Sequence, residues 1–259
     1  MNKVTISRFP ALDYACNEAM NTLCTNLSYC GSDIRVVLLT SRYESEGKSS
    51  ITINMMRTMA GFGKRVLLID TDLRRSALVR RYRLSYEQKK PYGLAHYLAG
   101  MCDLDDVIYQ TDLPNASMIP AGRDVLNSMQ LLASPRYGRM IEEVRSRYDM
   151  VLVDCPPAGM IVDAVEIAKY CDGAIIVVGY NNGRGQEVGE IAASIAQTGC
   201  KVLGAVINGV DVSSVSSRKY YYRSKYYSSY YRRYDRYGDA ESDMPKKQKA
   251  SPSKGDKRK

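Results

Sequence analysis

The chain has 259 residues, 45% hydrophobic and 25% charged, enough for one sizeable α/β domain with or without a tail. No run of 18 or more apolar residues appears, and Met1–Leu12 lacks the apolar core of a secretory leader, so the sequence reads as cytoplasmic. Seven scattered cysteines without a C-x-x-C pair and a single histidine, His96, argue against a disulfide framework, a zinc site and histidine acid–base chemistry. The net charge of +9 is confined to one end. From Ser213 onward 14 Lys and Arg face 5 Asp and Glu, while 23 basic residues balance 23 acidic ones before it.

In chain order, Asp13–Tyr29 reads as a helix, placing a helical N-terminal extension over residues 1–34. Arg35–Thr40 is a short Val/Leu run, followed by a polar loop and the helical pattern Ser49–Ala60, which meets Gly61 and Gly63 as C-cap signals. Arg65–Asp70, Met150–Asp154, Ala174–Gly179 and Val202–Asn208 are further apolar runs, the pattern of parallel strands covered on both faces. Gly138–Tyr148, Asp163–Tyr170 and Gly185–Thr198 are helical between them. Strands alternating with helices predict an α/β fold of P-loop NTPase type: an open parallel sheet flanked by helices over residues 35–212, with ligands at the carboxyl ends of the strands.

The periodicity stops near Val212. Residues 213–259 hold nine tyrosines between Tyr220 and Tyr237, then Lys, Ser and Pro. The segment has too little apolar surface for a core and is expected to be a disordered tail.

The stretch Ser41-Arg42-Tyr43-Glu44-Ser45-Glu46-Gly47-Lys48-Ser49-Ser50 lies between a strand and a helix, the context of a phosphate-binding loop. Backbone N–H groups of Ser45, Glu46, Gly47, Lys48, Ser49 and Ser50 would hold phosphates at the helix N-terminus. Lys48 would reach the β- and γ-phosphates, and the Ser49 hydroxyl would ligate Mg²⁺, a hard cation that favours oxygen. The loop is atypical, with Arg42 and Ser45 where glycine is usual. Two apolar strands end in acids, one in Asp70-Thr71-Asp72-Leu73-Arg74 and the other in Asp154-Cys155-Pro156-Pro157. Asp70, Asp72 and Asp154 thereby complete a Mg²⁺–phosphate site for ATP. Asn208, ending the last strand, reads either as an adenine contact or as a strand cap.

Together these residues resemble the bacterial protein-tyrosine kinases of capsule and exopolysaccharide operons, in their stand-alone cytoplasmic form. Gly47-Lys48-Ser49 is similar to that family's Walker A, Asp70 to Arg74 to its Walker A′, and Asp154 to Pro157 to its Walker B. Gly93-Leu94, Pro120-Ala121-Gly122 and Leu131 to Arg136 also follow its pattern, and the tyrosine tail is its most distinctive part. The resemblance implies that Ser49, Asp72 and Asp154 hold Mg²⁺ and that Asp70 is the base for an attacking tyrosine hydroxyl. Tyr220, Tyr221, Tyr222, Tyr226, Tyr227, Tyr230, Tyr231, Tyr234 and Tyr237 are then the phosphoacceptors, modified in trans by another copy.

A membrane-bound chain-length regulator as activator and a tyrosine phosphatase are the implied partners, with recruitment to the inner face of the membrane. One departure concerns self-assembly: Glu18 is followed by Asn21 and Cys24, where the family's ring-forming helix has arginines. Two other functions fit the loop: a partition-type ATPase scaffold, and a degenerate nucleotide-binding regulator that presents the tail. Tyrosines interleaved with Arg and Lys also suit single-stranded nucleic acid, a reading ranked below the phosphoacceptor one.

Overall fold

The structure is a computed structural model that describes residues 2–9, 11–88, 91–157, 162–180, 182 and 185–211. Residues Met1–Gly209 form one compact unit. The tyrosine cluster and the Lys-rich tail lie outside the described residues.

The elements run β1 (Asn2–Ile6), α1 (Tyr14–Ser28), β2 (Val36–Ser41), α2 (Lys48–Gly61), β3 (Val66–Asp70), α3 (Leu78–Tyr82), β4 (Leu84–Tyr86), α4 (Leu94–Leu98), α5 (Leu104–Val107), β5 (Tyr109–Thr111), β6 (Ala116–Ile119), α6 (Ser128–Leu132), α7 (Pro135–Arg147), β7 (Met150–Asp154), α8 (Val162–Ala168), β8 (Gly173–Gly179), α9 (Gly185–Ala196) and β9 (Lys201–Asn208). One sheet has the order β4-β1-β5-β6-β3-β7-β2-β8-β9. From β6 to β9 every pairing is parallel, whereas β5–β6 and β1–β4 are antiparallel.

All five strands expected from the sequence are present, within a residue or so at each end. Their apolar runs follow from burial on both faces. Val36 and Leu38 point into one core with Leu67, Ile69, Val151 and Val153, under α4, α7, α8 and α9. Val37 and Leu39 point into the other with Val66, Leu68 and Leu152, under α1, α2 and α3. This is the period-2 alternation of a pleated strand. The sequence reading needs correction at its N-terminal stretch. Residues 1–34 contain α1, capped by the Asp13 side chain on Cys16 N, but also β1, which sits within the sheet between β4 and β5. Only Val4 and Ile6 of β1 are buried, too brief an alternation to stand out beside a helix.

The parallel pairing gathers the carboxyl ends of β2, β3, β7, β8 and β9 on one side of the sheet. The loop into α2, Asp70, Asp154, Gly179 and Asn208 all lie there.

Candidate functional site

The loop Arg42–Gly47 is shaped around Glu46, a buried carboxylate. One of its oxygens accepts from Tyr43 N at 2.9 Å and the other from Gly179 N at 3.0 Å, while its backbone carbonyl accepts from Asn208 Nδ2 at 2.9 Å. Charge-assisted bonds of this kind satisfy a carboxylate removed from water, and they tie the loop to the ends of β8 and β9. The Glu46 side chain therefore acts as a brace for the loop. Ser41 Oγ donates to Tyr43 O at 2.8 Å, and the Tyr43 hydroxyl donates to Glu187 of α9 at 3.0 Å. Ser45 and Gly47 both have positive φ, 64° and 88°. Gly47 caps α2 without any side-chain bond, so the first-turn N–H groups of the helix face the loop without a competing side-chain cap.

Lys48 begins α2, and its ammonium lies 4.0 Å from Asp154 Oδ1 and 3.5 Å from Ser49 Oγ. Burial alone pulls the lysine down, but the carboxylates of Asp154, Asp72 and Asp70 outweigh it and hold it above its ordinary value. It stays charged. Asp154 is 1% exposed and accepts from Thr52 Oγ1 at 3.2 Å. Its carboxyl is pushed up by burial, more than Lys48 and the Ser49 and Thr52 hydroxyls give back.

Asp70 occupies the same register as Asp154 on the adjoining parallel strand. One of its oxygens accepts from Asp72 N at 3.1 Å and the other from the Ser76 hydroxyl. Burial, and next the charge of Asp154, push Asp70 up to about 7. Asp72 is half-buried and accepts from Arg75 N at 3.0 Å. Ser50 lies on the first turn of α2, its carbonyl accepting from Asn54 Nδ2. The structure thus brings Lys48, Ser49, Asp70, Asp72 and Asp154 to one place and sets Asn208 beside the loop, its amide engaged with Glu46.

The donor set fits magnesium: the Ser49 hydroxyl and two carboxylates are hard oxygens. Among the described residues no three His, Cys, Asp or Glu side chains could cage a metal by themselves, so phosphate oxygens and water would complete its shell. The site also fits phosphate, with a charged lysine at a helix N-terminus.

A family model described as an AAA domain matches residues 45–198. The tyrosine-protein kinase CpsD of Streptococcus agalactiae serotype III (strain NEM316) is 33% identical over 196 residues, 76% of this chain and 83% of the relative. This chain belongs to the bacterial tyrosine-protein kinases of the AAA-domain family. A protein of the same name from Streptococcus pneumoniae serotype 4 (strain ATCC BAA-334 / TIGR4) is 32% identical over 196 residues, 76% of this chain and 85% of the relative. Among solved structures, the kinase domain of the Escherichia coli tyrosine kinase ETK superposes with a TM-score of 0.71 at 27% identity, covering 75% of this chain and 76% of that one.

Several residues that build the kinase site escaped the sequence reading. Thr71 donates through both its N–H and its hydroxyl to the Asp154 carbonyl, at 3.0 and 2.9 Å. Thr40 Oγ1 donates to the Pro156 carbonyl at 3.0 Å. These bonds join the carboxyl ends of β2, β3 and β7. Thr52 was discoverable, standing four residues after Lys48 and hence on the same helix face. Ser76 and Asp163 carry no such signal: one is brought in by a turn, the other by a helix 89 residues from its partner Arg74.

Proposed function

We propose that this chain is an ATP-dependent tyrosine kinase that phosphorylates the tyrosine cluster of its own C-terminal segment, in trans, and thereby controls capsular or exopolysaccharide synthesis and export. The observation carrying this reading is the side-by-side placement of Asp70 and Asp154 at the phosphate loop, in a chain of the tyrosine-kinase family whose sequence holds nine tyrosines in Tyr220–Tyr237.

Phosphoryl transfer needs alignment and charge neutralisation more than covalent chemistry by the protein. Lys48 neutralises charge on the β- and γ-phosphates. Ser49, Asp72 and Asp154 would hold Mg²⁺, which neutralises phosphate charge and orients the triphosphate. Asp70 accepts the phenolic proton as the tyrosine oxygen bonds to the γ-phosphorus and the bond to the β-bridging oxygen breaks, releasing ADP. Glu46 and Asn208 hold the loop, with Asn208 at the edge where the adenine would lie. Each phosphate adds about −1.5 to −2, so full modification of nine tyrosines adds roughly −14 to −18 to a segment that starts at +9. Docking that depends on the basic charge of this segment is then lost.

No helix among the described residues is long and apolar enough to cross a membrane. A separate membrane protein as activator and a tyrosine phosphatase that resets the cluster complete the proposal. Incubation of the full chain with γ-labelled ATP, Mg²⁺ and the cognate activator fragment should label the C-terminal segment. Lys48→Met should abolish labelling, and Tyr→Phe at the nine positions should remove most of it. A segment that stays unlabelled overturns the reading.

A further inference from the structure

We infer that Ser76 is a positioning residue for Asp70, fixing the plane of the carboxylate that receives the tyrosine proton. The inference rests on the kinase reading above and adds a residue to it.

The turn after β3 folds back on itself. Leu73 and Leu78 are both buried and anchor its two sides. Leu73 N donates to Thr71 O at 2.8 Å, Val125 N donates to Leu73 O at 2.9 Å, and Arg75 N donates to Asp72 Oδ1 at 3.0 Å. Arg74 is held from outside by both oxygens of Asp163, at 3.2 and 3.3 Å. A turn pinned at so many points brings Ser76 back to Asp70, six residues earlier, and its hydroxyl donates to Oδ2.

The other carboxylate oxygen accepts from Asp72 N at 3.1 Å. The terminal torsion of an aspartate is intrinsically broad, so a single bond leaves the group free to rock. Two donors from two points of one rigid turn define its plane. An ionised carboxylate offers about four acceptor sites, so with two filled each oxygen keeps one for the incoming phenol. Ser76 thus orients the base without occupying its place. The sulfur-free, two-atom reach of serine also matters: threonine keeps the hydroxyl at the same distance from the backbone, and alanine removes it.

The test compares the wild-type full chain with Ser76→Ala and Ser76→Thr, using γ-labelled ATP, Mg²⁺ and the cognate activator fragment. It measures the rate of tyrosine labelling at saturating ATP, the KM for ATP and the thermal midpoint. The expected result for Ser76→Ala is a loss of roughly tenfold to hundredfold in labelling rate, the scale on which small misplacement of reacting groups is felt. Its KM for ATP should stay within about twofold, because ATP is held by Lys48 and the loop, and its midpoint should fall only by the few degrees that one lost hydrogen bond to a buried carboxylate costs. Ser76→Thr should recover most of the rate. An unchanged rate in Ser76→Ala overturns the inference while leaving the kinase reading intact. A parallel fall in rate, ATP affinity and midpoint that threonine does not rescue also overturns it, in favour of a role in the turn alone. A wild-type chain that binds ATP and labels no tyrosine overturns the kinase reading itself, and the role of Ser76 with it.

Discussion

Gly47 and Asn208 approach so closely that a Cβ on Gly47 would stand 2.0 Å from Asn208 Nδ2. The Asn208 amide is there because it holds the Glu46 carbonyl, and Gly47 is needed both for that contact and for its φ of 88°. Gly47→Ala should therefore weaken ATP·Mg²⁺ binding at least tenfold, since backbone strain of this kind costs about 1–3 kcal/mol before any clash is counted. Asn208→Ala alone should cost less, about 1 kcal/mol for one lost hydrogen bond. The double variant should be tighter than the sum of the two losses implies, because the second change removes the obstacle created by the first. Calorimetric titration of the four proteins checks this; strict additivity would refute the steric account.

The loop bends through Ser45 at φ 64°, where a side chain is disfavoured. Ser45→Gly should raise the unfolding free energy by no more than about 1 kcal/mol, strain relief being partly offset by glycine's greater freedom when unfolded. Ser45→Val should lower it by about 1–2 kcal/mol, a β-branched residue being the least tolerant of this region. Denaturant titrations of the two variants measure both. A valine variant as stable as wild type would mean the loop relaxes out of this conformation.

Much of this site was legible in the sequence because it is built at the ends of strands buried on both faces. Val36–Ser41, Val66–Asp70 and Met150–Asp154 announce themselves as apolar runs, and a parallel sheet then forces Asp70 and Asp154 to one side. What stayed hidden were contacts that depend on register and turn shape. β4, β5 and β6 are three or four residues long, too short for a period to show, and β1 buries only Val4 and Ile6 of its five. Ser45 stood out only as a missing glycine. That the chain tolerates it follows from Glu46, whose three anchors come from Tyr43 within the loop and from the distant Gly179 and Asn208.

The acid pair predicts an unusual pH response. Asp70 rises from 3.8 to about 7 in the folded chain, and Asp154 also rises, burial being the first cause for each. A carboxyl with a raised folded pKa favours the protonated folded state. Its stability penalty is absent below about pH 4, grows through the window up to about 7, and is complete above it. Asp149 acts oppositely: bonding to Arg65 lowers it to about 2, so its contribution is present above the ordinary carboxylate range and lost only as the pH falls through 4 toward 2. In nucleotide- and magnesium-free buffer the thermal midpoint should therefore be higher at pH 5 than at pH 8. Asp70→Asn should raise the midpoint at pH 8, by a stability gain on the order of a few kcal/mol, and change it little at pH 5, while abolishing tyrosine labelling. An Asn variant with the same advantage at both pH values would rule out the ionised carboxylate as the source.

Arg74 and Asp163 offer a separate test of how the turn carrying Asp72 and Ser76 is held. Asp163 is 1% exposed and takes two bonds from a guanidinium that is itself 48% exposed. Removing the cation strips a buried carboxylate in the first turn of α8 of its ion-pair partner among the described residues. Arg74→Ala should cost about 1–3 kcal/mol, less than a fully buried pair because solvent screens the arginine side. Lysine lacks the planar fork that meets both oxygens, so Arg74→Lys should restore under half of the loss. Adding Asp163→Asn to Arg74→Ala should recover stability by removing the stranded charge, giving a coupling energy of about 0.5–3 kcal/mol in a double-mutant cycle. If Arg74→Ala is neutral by denaturant titration, the buried leucines and the hydrogen bonds within the turn hold it without the ion pair.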